Sequence, residues 1–186
     1  MQTNDTLKTI AERFSCRGYN ASPVEREKLD AIARAAMSSP SAINLQPWRL
    51  VVITDAELIA QMDEAGMQLL RDTGEDEMYK RFMERGGKLF YNAPVMFLIL
   101  KQHIASAELD CGIVSENIAL AASSLGLGNV ICGMARLPFE CPKGEYFKEK
   151  VGFGNDGWEF GMGVLVGYGL VSKEPHAPDM SKVSYV

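Results

Sequence analysis

The 186-residue sequence has only two histidines, His103 and His176, and none of its four cysteines stands in a Cys-x-x-Cys pair. That excludes a multi-histidine metal centre and leaves a zinc site or disulfide framework without supporting spacing. Cys16, Cys111, Cys132 and Cys141 read instead as reduced, mostly packing thiols of a cytoplasmic protein, with Cys132 weighed as a redox-sensitive one. No apolar run approaches membrane-spanning length; the longest, around 95–100, is strand-sized. The opening MQTNDTLKTIAERF mixes acids and bases at helical spacing, which is not the pattern of a signal peptide. Basic excess is also missing: the net charge of −5 argues against nucleic acid as a partner. There is no Gly-x-x-x-x-Gly-Lys phosphate loop, no Gly-x-Gly-x-x-Gly after a strand and no Gly-x-Ser-x-Gly elbow. GLGNVICG has the glycines of a dinucleotide loop, but it follows a helix and precedes a strand, the wrong order. Ser–His–Asp catalysis has no motif behind it either.

What is present suits one soluble domain, 1–186, with an α+β pattern. Hydrophobic content of 47% beside 23% charged residues is enough to bury a core without staples. Leu7, Ile10, Ala11 and Phe14 recur at helical spacing. ASPVEREKLDAIARAAM predicts a second helix, with Ser22 as cap, Pro23 at its first position and Leu29, Ile32, Ala33, Ala36 and Met37 as its buried stripe. A strand over 49–54 is followed by a helix from Asp55. The charged stretch 71–87 reads as a loop plus a short surface helix, a mobile lid or a solvated connection. A strand over 95–100, a long and nearly apolar helix in LDCGIVSENIALAASSLGLGN, a short strand at 130–134 and a short helix at 143–151 complete the body. In the last strand, EFGMGVLVGYG, one face is mostly glycine, which means another backbone or a ligand comes close. The tail, 172–186, ends in KVSYV, alternating like an edge strand; it is expected along the body or on a second subunit.

Two segments carry chemistry. In RFSCRGYN, Arg13, Ser15 and Arg17 occupy alternate positions, so an extended chain presents two guanidinium forks and a hydroxyl on one side, fit for a phosphate or another anion. On spacing alone, a solvated helix end whose cations complement the dipole is the favoured reading of the same residues. In SSPSAINLQPWRLVVIT, two prolines and small polar residues make an ordered loop before a strand, where binding groups gather more often than core residues.

Together these two segments, one helix apart, resemble the start of the FMN-dependent nitroreductase family. The apolar helix and the Gly-Tyr strand are similar to that family's central helix and last core strand, so the resemblance runs from Arg13 to Gly169. It implies a central mixed sheet surrounded by helices, in a homodimer with two FMN sites at the interface. Arg13 and Ser15 would hold the FMN phosphate and ribityl chain, Phe14 would contact it through its backbone, and Arg17 would reach the pyrimidine edge. Ser39, Pro40, Ser41 and Asn44 would come from the other subunit, with Gln46, Pro47 and Trp48 anchoring their loop. Gly133, with Met134 beside it, would offer an N–H toward flavin N5. Where many members carry a C-terminal Lys or Arg pair, this sequence offers only Lys173 or His176. The implied activity is oxidation of NADH or NADPH through FMN, passing two electrons to a nitroaromatic or quinone-like acceptor by a ping-pong route. A flavin-binding dimer without turnover, or a same-fold reductive dehalogenase or flavin-fragmenting enzyme, are the alternatives.

Overall fold

The computed structural model describes residues 3–74, 76–153, 157–175 and 177–186. Helix α1 (Asp5–Glu12) starts where the Asn4 side chain accepts the Leu7 N–H at 2.9 Å, satisfying one of the free donors of the first turn. Helix α2 (Arg26–Met37) starts later than Ser22 and Pro23 predict. The Ser22 N–H bonds to the Asn20 side chain at 2.9 Å, and this local turn takes the place of a cap. Leu29, Ile32 and Ala36 form the buried stripe as expected, but Met37 stays exposed. Strand β1 (Trp48–Ile53) leads into helix α3 (Ala56–Asp72), capped by Asp55 through the N–H groups of Glu57 and Leu58. The charged stretch contains helix α4 (Asp76–Glu84), which buries Phe82 at 6.2 Å from the Tyr91 ring.

Strand β2 (Val95–Lys101) is buried over six of its seven residues, the mark of a strand covered on both faces. Helix α5 (Ala107–Ser124) ends at Leu125, and Gly126 turns the chain at a φ of 75° into strand β3 (Gly128–Cys132). The short helix α6 (Leu137–Glu140), absent from the sequence reading, precedes helix α7 (Gly144–Lys150) and strand β4 (Glu159–Gly167).

The sheet runs β1-β2-β4-β3, and every neighbouring pair is antiparallel. The mixed character expected of it survives among the described residues as one isolated parallel bridge, between Ser15 and Asn129. Period-two alternation sorts the core. Met96, Leu98, Leu100 and Leu165 pack with Ile59, Met62 and Leu70 from α3; Phe97, Ile99, Val164 and Val166 pack with Ile32, Val114 and Ile118 from α2 and α5.

The glycine face of β4 is explained by the chain itself. A Cβ at Gly163 would stand 2.5 Å from the Ala135 Cβ; one at Gly161 would stand 2.9 Å from the Ile99 carbonyl oxygen. One at Gly167 would meet the Pro94 ring at 2.5 Å and the Tyr19 ring at 3.1 Å. Of the two places expected for the tail, its last residues do not take the one along the body. Residues 183–186 form no strand and stay exposed, and Leu170, Val171 and Met180 are exposed as well, so within one chain the tail finds no edge to pair with. No helix among the described residues is long and apolar enough to cross a membrane.

Candidate functional site

The site grows from residues 13–20. At Arg13 the chain leaves α1 with extended angles, φ −61° and ψ 132°. The Cys16 N–H then donates to the Asn129 carbonyl at 2.8 Å, laying the segment along β3. Beyond it, Leu170 N–H reaches Gly18 O at 2.9 Å and Asn20 N–H reaches Tyr168 O at 3.0 Å, fixing the segment to the end of β4. Asn129 is itself locked: its Nδ2 donates to Ala119 O and Ser123 Oγ, which ties α5 to the same place.

Extended backbone splits the side chains as the sequence pattern requires. Phe14 packs on the core and Cys16 is fully buried, whereas Arg13 and Ser15 are half-buried and Arg17 is exposed. The guanidinium of Arg13 is partly engaged, with its Nε 3.7 Å from Glu116 Oε1. The Arg17 charge favours ionisation of Tyr19 and Cys132, as the smallest of the influences on either group. Burial outweighs that pull and pushes the Cys132 thiol up to about 11, although the Ala135 and Met134 N–H groups also favour its thiolate. A buried thiol held protonated is a poor nucleophile, so Cys132 packs rather than senses redox state.

Gly133 opens a short 3₁₀ turn, Gly133–Arg136, right after β3. It is exposed, and nothing lies within 4 Å of where its Cβ would be, so its backbone can be approached closely. Met134 is half-buried against the core and its N–H is directed at the Cys132 sulfur. Of the pair, Gly133 is the open donor.

The loop before β1 is organised by its own side chains. Ser39 Oγ accepts Asn117 Nδ2 at 2.8 Å, Ser41 Oγ accepts the Gln46 N–H at 2.8 Å, and Asn44 Oδ1 accepts Gln46 Nε2 at 3.1 Å. Pro40 is exposed, while Pro47 and Trp48 are buried and anchor the loop as expected. Ile43, Asn44 and Gln46 all take left-handed angles, φ 45°, 58° and 48°. For β-branched Ile43, 90% exposed, that conformation is strained with no burial to offset it. Ile43→Gly is therefore expected to raise the unfolding free energy read by urea titration modestly, by up to about 1 kcal/mol; a lowered value would mean that the side chain, not the loop, fixes this backbone. Among the described residues the hydrogen bonds of Ser39, Ser41 and Asn44 stay within the loop, α2 and α5, and none reaches residues 13–17. The loop and residues 13–17 are thus organised by separate sets of hydrogen bonds.

The sequence model of the Nitroreductase family matches residues 10–168. The chain belongs to the nitroreductase family. A crystal structure of a nitroreductase with bound FMN from Desulfitobacterium hafniense is 42% identical, covers the whole of both chains and superposes with a TM-score of 0.95. A relative from Methanothermobacter thermautotrophicus, provisionally named an NADH dehydrogenase/NAD(P)H nitroreductase, is 32% identical over 135 residues, 70% of this chain and 61% of that one. An FMN reductase [NAD(P)H] from Bacillus subtilis is 29% identical over 144 residues, 72% of this chain and 55% of its own. The chain thus spans between half and two thirds of the length of these two relatives.

A buried acid and a nearby cation escaped the sequence reading. Asp63 lies 3% exposed on the apolar stripe of α3, and Lys88 stands within its electrostatic reach. An acid in a row of apolar positions, Ile59, Met62, Asp63, Gly66, Met67, was the available signal. Lys173 is exposed in the tail, and His176 lies outside the described residues.

Proposed function

We propose that this nitroreductase-family protein is an FMN-dependent oxidoreductase that takes electrons from NADH or NADPH and passes them to an electron-poor acceptor, nitroaromatic or quinone-like, by a ping-pong route in one pocket. The observation that carries this reading is the one-sided row Arg13, Ser15, Arg17, bridged through Ser15 to Asn129 of β3, the strand that runs into the open backbone of Gly133. The donor set fits FMN: two guanidinium groups and a hydroxyl for an anionic chain, and an approachable N–H for a ring nitrogen. FMN supplies the two-electron chemistry when bound.

In this reading Arg13 and Ser15, with the Phe14 backbone, hold the phosphate and ribityl chain. Arg17 would be the residue to stabilise negative charge on the reduced ring at N1/C2=O, and the Gly133 N–H would be the donor offered to N5. No side chain has to move a proton. The loop with Ser39, Pro40, Ser41 and Asn44 serves the flavin of a second subunit, a reading supported by the absence, among the described residues, of any hydrogen bond from it to residues 13–17. Exposed Leu45 and Leu109, and the apolar side chains of the tail, supply surface for that homodimer. The chain acts as one domain, 1–186, in the cytoplasm, its tail packing on the partner; Lys173 is the tail's candidate for the phosphate.

A visible spectrum of the purified protein, before and after anaerobic NADPH and then NADH, tests this. A yellow protein that bleaches is the expected result. A yellow protein that neither coenzyme bleaches would favour a flavin-binding dimer without turnover. A colourless protein that fails to take up added FMN would overturn the assignment of Arg13, Ser15 and Arg17.

A further inference from the structure

Within the row Arg13, Ser15, Arg17, an acid already faces one of the two cations. Arg13 Nε lies 3.7 Å from Glu116 Oε1, an ion pair too long to be a hydrogen bond. Arg17 forms no ion pair among the described residues. Two elements impose the contact. Arg13 is the residue at which α1 ends, its N–H donating to Thr9 O at 3.1 Å, and α1 packs against α5, which carries Glu116. The next residue, Asn117, donates to Ala35 O at 3.3 Å and to Ser39 Oγ at 2.8 Å. These bonds fix the rotation of α5, so the helix cannot turn Glu116 away from Arg13.

Glu116 has no second cation: among the described residues Arg13 is its only ion-pair partner. Its side chain is 46% exposed, and a pair this open to water adds little to the stability of the fold. What it does is set a negative charge against the cation assigned to phosphate. The end of α1 acts in the same sense, because the last carbonyls of a helix present partial negative charge to the residue that follows. A phosphate that takes Arg13 as its partner has to share that cation with Glu116 and meets the carboxylate as a like charge. Water between them weakens the repulsion without abolishing it.

We propose that Glu116 is a specificity-determining residue, which holds down the preference of the site for a phosphorylated flavin over the same flavin without phosphate. The proposal rests on the FMN reading above, in which Arg13 holds the phosphate. The penalty falls on the phosphate alone. The ring system and ribityl chain that FMN shares with riboflavin are uncharged in the oxidised state, so a carboxylate at Arg13 leaves their binding as it is. The grip on phosphate can therefore be strengthened by removing one acid, with no new contact.

The test is flavin binding by the apoprotein, read by fluorescence titration with FMN and separately with riboflavin, in the wild type and in Glu116→Gln. Glutamine keeps the shape of the side chain and an oxygen for Arg13, and it removes the charge. FMN should bind about three- to tenfold more tightly and riboflavin as before, so the preference for FMN rises by the same factor. The melting temperature of the apoprotein should hardly move. Equal tightening of both flavins would report a change in the pocket rather than at the phosphate, and would overturn the proposal. Unchanged FMN affinity overturns it too, and weaker FMN binding would show Glu116 to be a strut that aims Arg13. A wild type that binds FMN but no measurable riboflavin also overturns it, the preference being complete with Glu116 in place. A wild type that takes up neither flavin would instead overturn the functional reading, so the two failures are distinguishable.

Discussion

Replacing Arg17 by alanine should weaken FMN binding by about 10- to 100-fold, the loss expected for a charge-assisted hydrogen bond of about 1.5–3 kcal/mol. It should also lower the flavin's reduction potential, because the cation that stabilises charge at N1/C2=O is gone. Fluorescence titration of the apoprotein with FMN reads the first effect and dye equilibration the second. The side chain is exposed and carries no core packing, so the melting temperature of the apoprotein should hardly move. Arg17 is the sharper test than Arg13, whose guanidinium already faces Glu116 at 3.7 Å and would give a smaller, mixed effect. Arg17→Lys should fall between, since lysine keeps the charge and loses the planar fork. Unchanged affinity and potential in Arg17→Ala would remove this residue from the site.

The second large effect lies in the fold beneath the site. Gly167→Val should destabilise the protein by about 3 kcal/mol or more, a large share of the roughly 5–15 kcal/mol by which a domain of this kind stays folded. The first added carbon alone would come 2.5 Å from Pro94 Cδ, part of a rigid ring that cannot turn away, and 3.1 Å from the Tyr19 ring. Tyr19 is 3% exposed and its hydroxyl donates to Cys16 O at 3.0 Å, so pushing its ring strains residues 13–20 as well. Urea denaturation should show the lowered midpoint, and FMN retention should fall with it. A wild-type midpoint would mean that the Pro94 turn yields, and that the glycine face of β4 reflects something other than close packing.

Both expectations start from patterns legible in one dimension. The alternation of Arg13, Ser15 and Arg17 needed only extended backbone to become a one-sided row, and the hydrogen bond from Cys16 to Asn129 supplies it. The glycines of EFGMGVLVGYG announced close approach without saying of what; Ala135, Ile99, Pro94 and Tyr19 turned out to be the neighbours. Misreadings arose where two local signals competed. Ser22 and Pro23 look like a helix start, yet the Asn20 side chain takes the Ser22 N–H first and α2 begins at Arg26. Helix α6 (Leu137–Glu140) is too short to leave a periodic trace.

The sequence by itself determined most helices and strands of the body, the one-sided row of Arg13, Ser15 and Arg17 and the loop chemistry around Pro40, because hydrophobic period, proline and side-chain type act over a few residues. It also carried the resemblance to the nitroreductase family that the match over residues 10–168 bears out. Only the tertiary structure decided which residues meet. The chain order within the sheet, the exclusion of Cys132 from redox chemistry and the burial of Asp63 beside Lys88 all depend on residues far apart in the chain. Burial and electric field are properties of those long-range neighbours, and no local pattern fixes them.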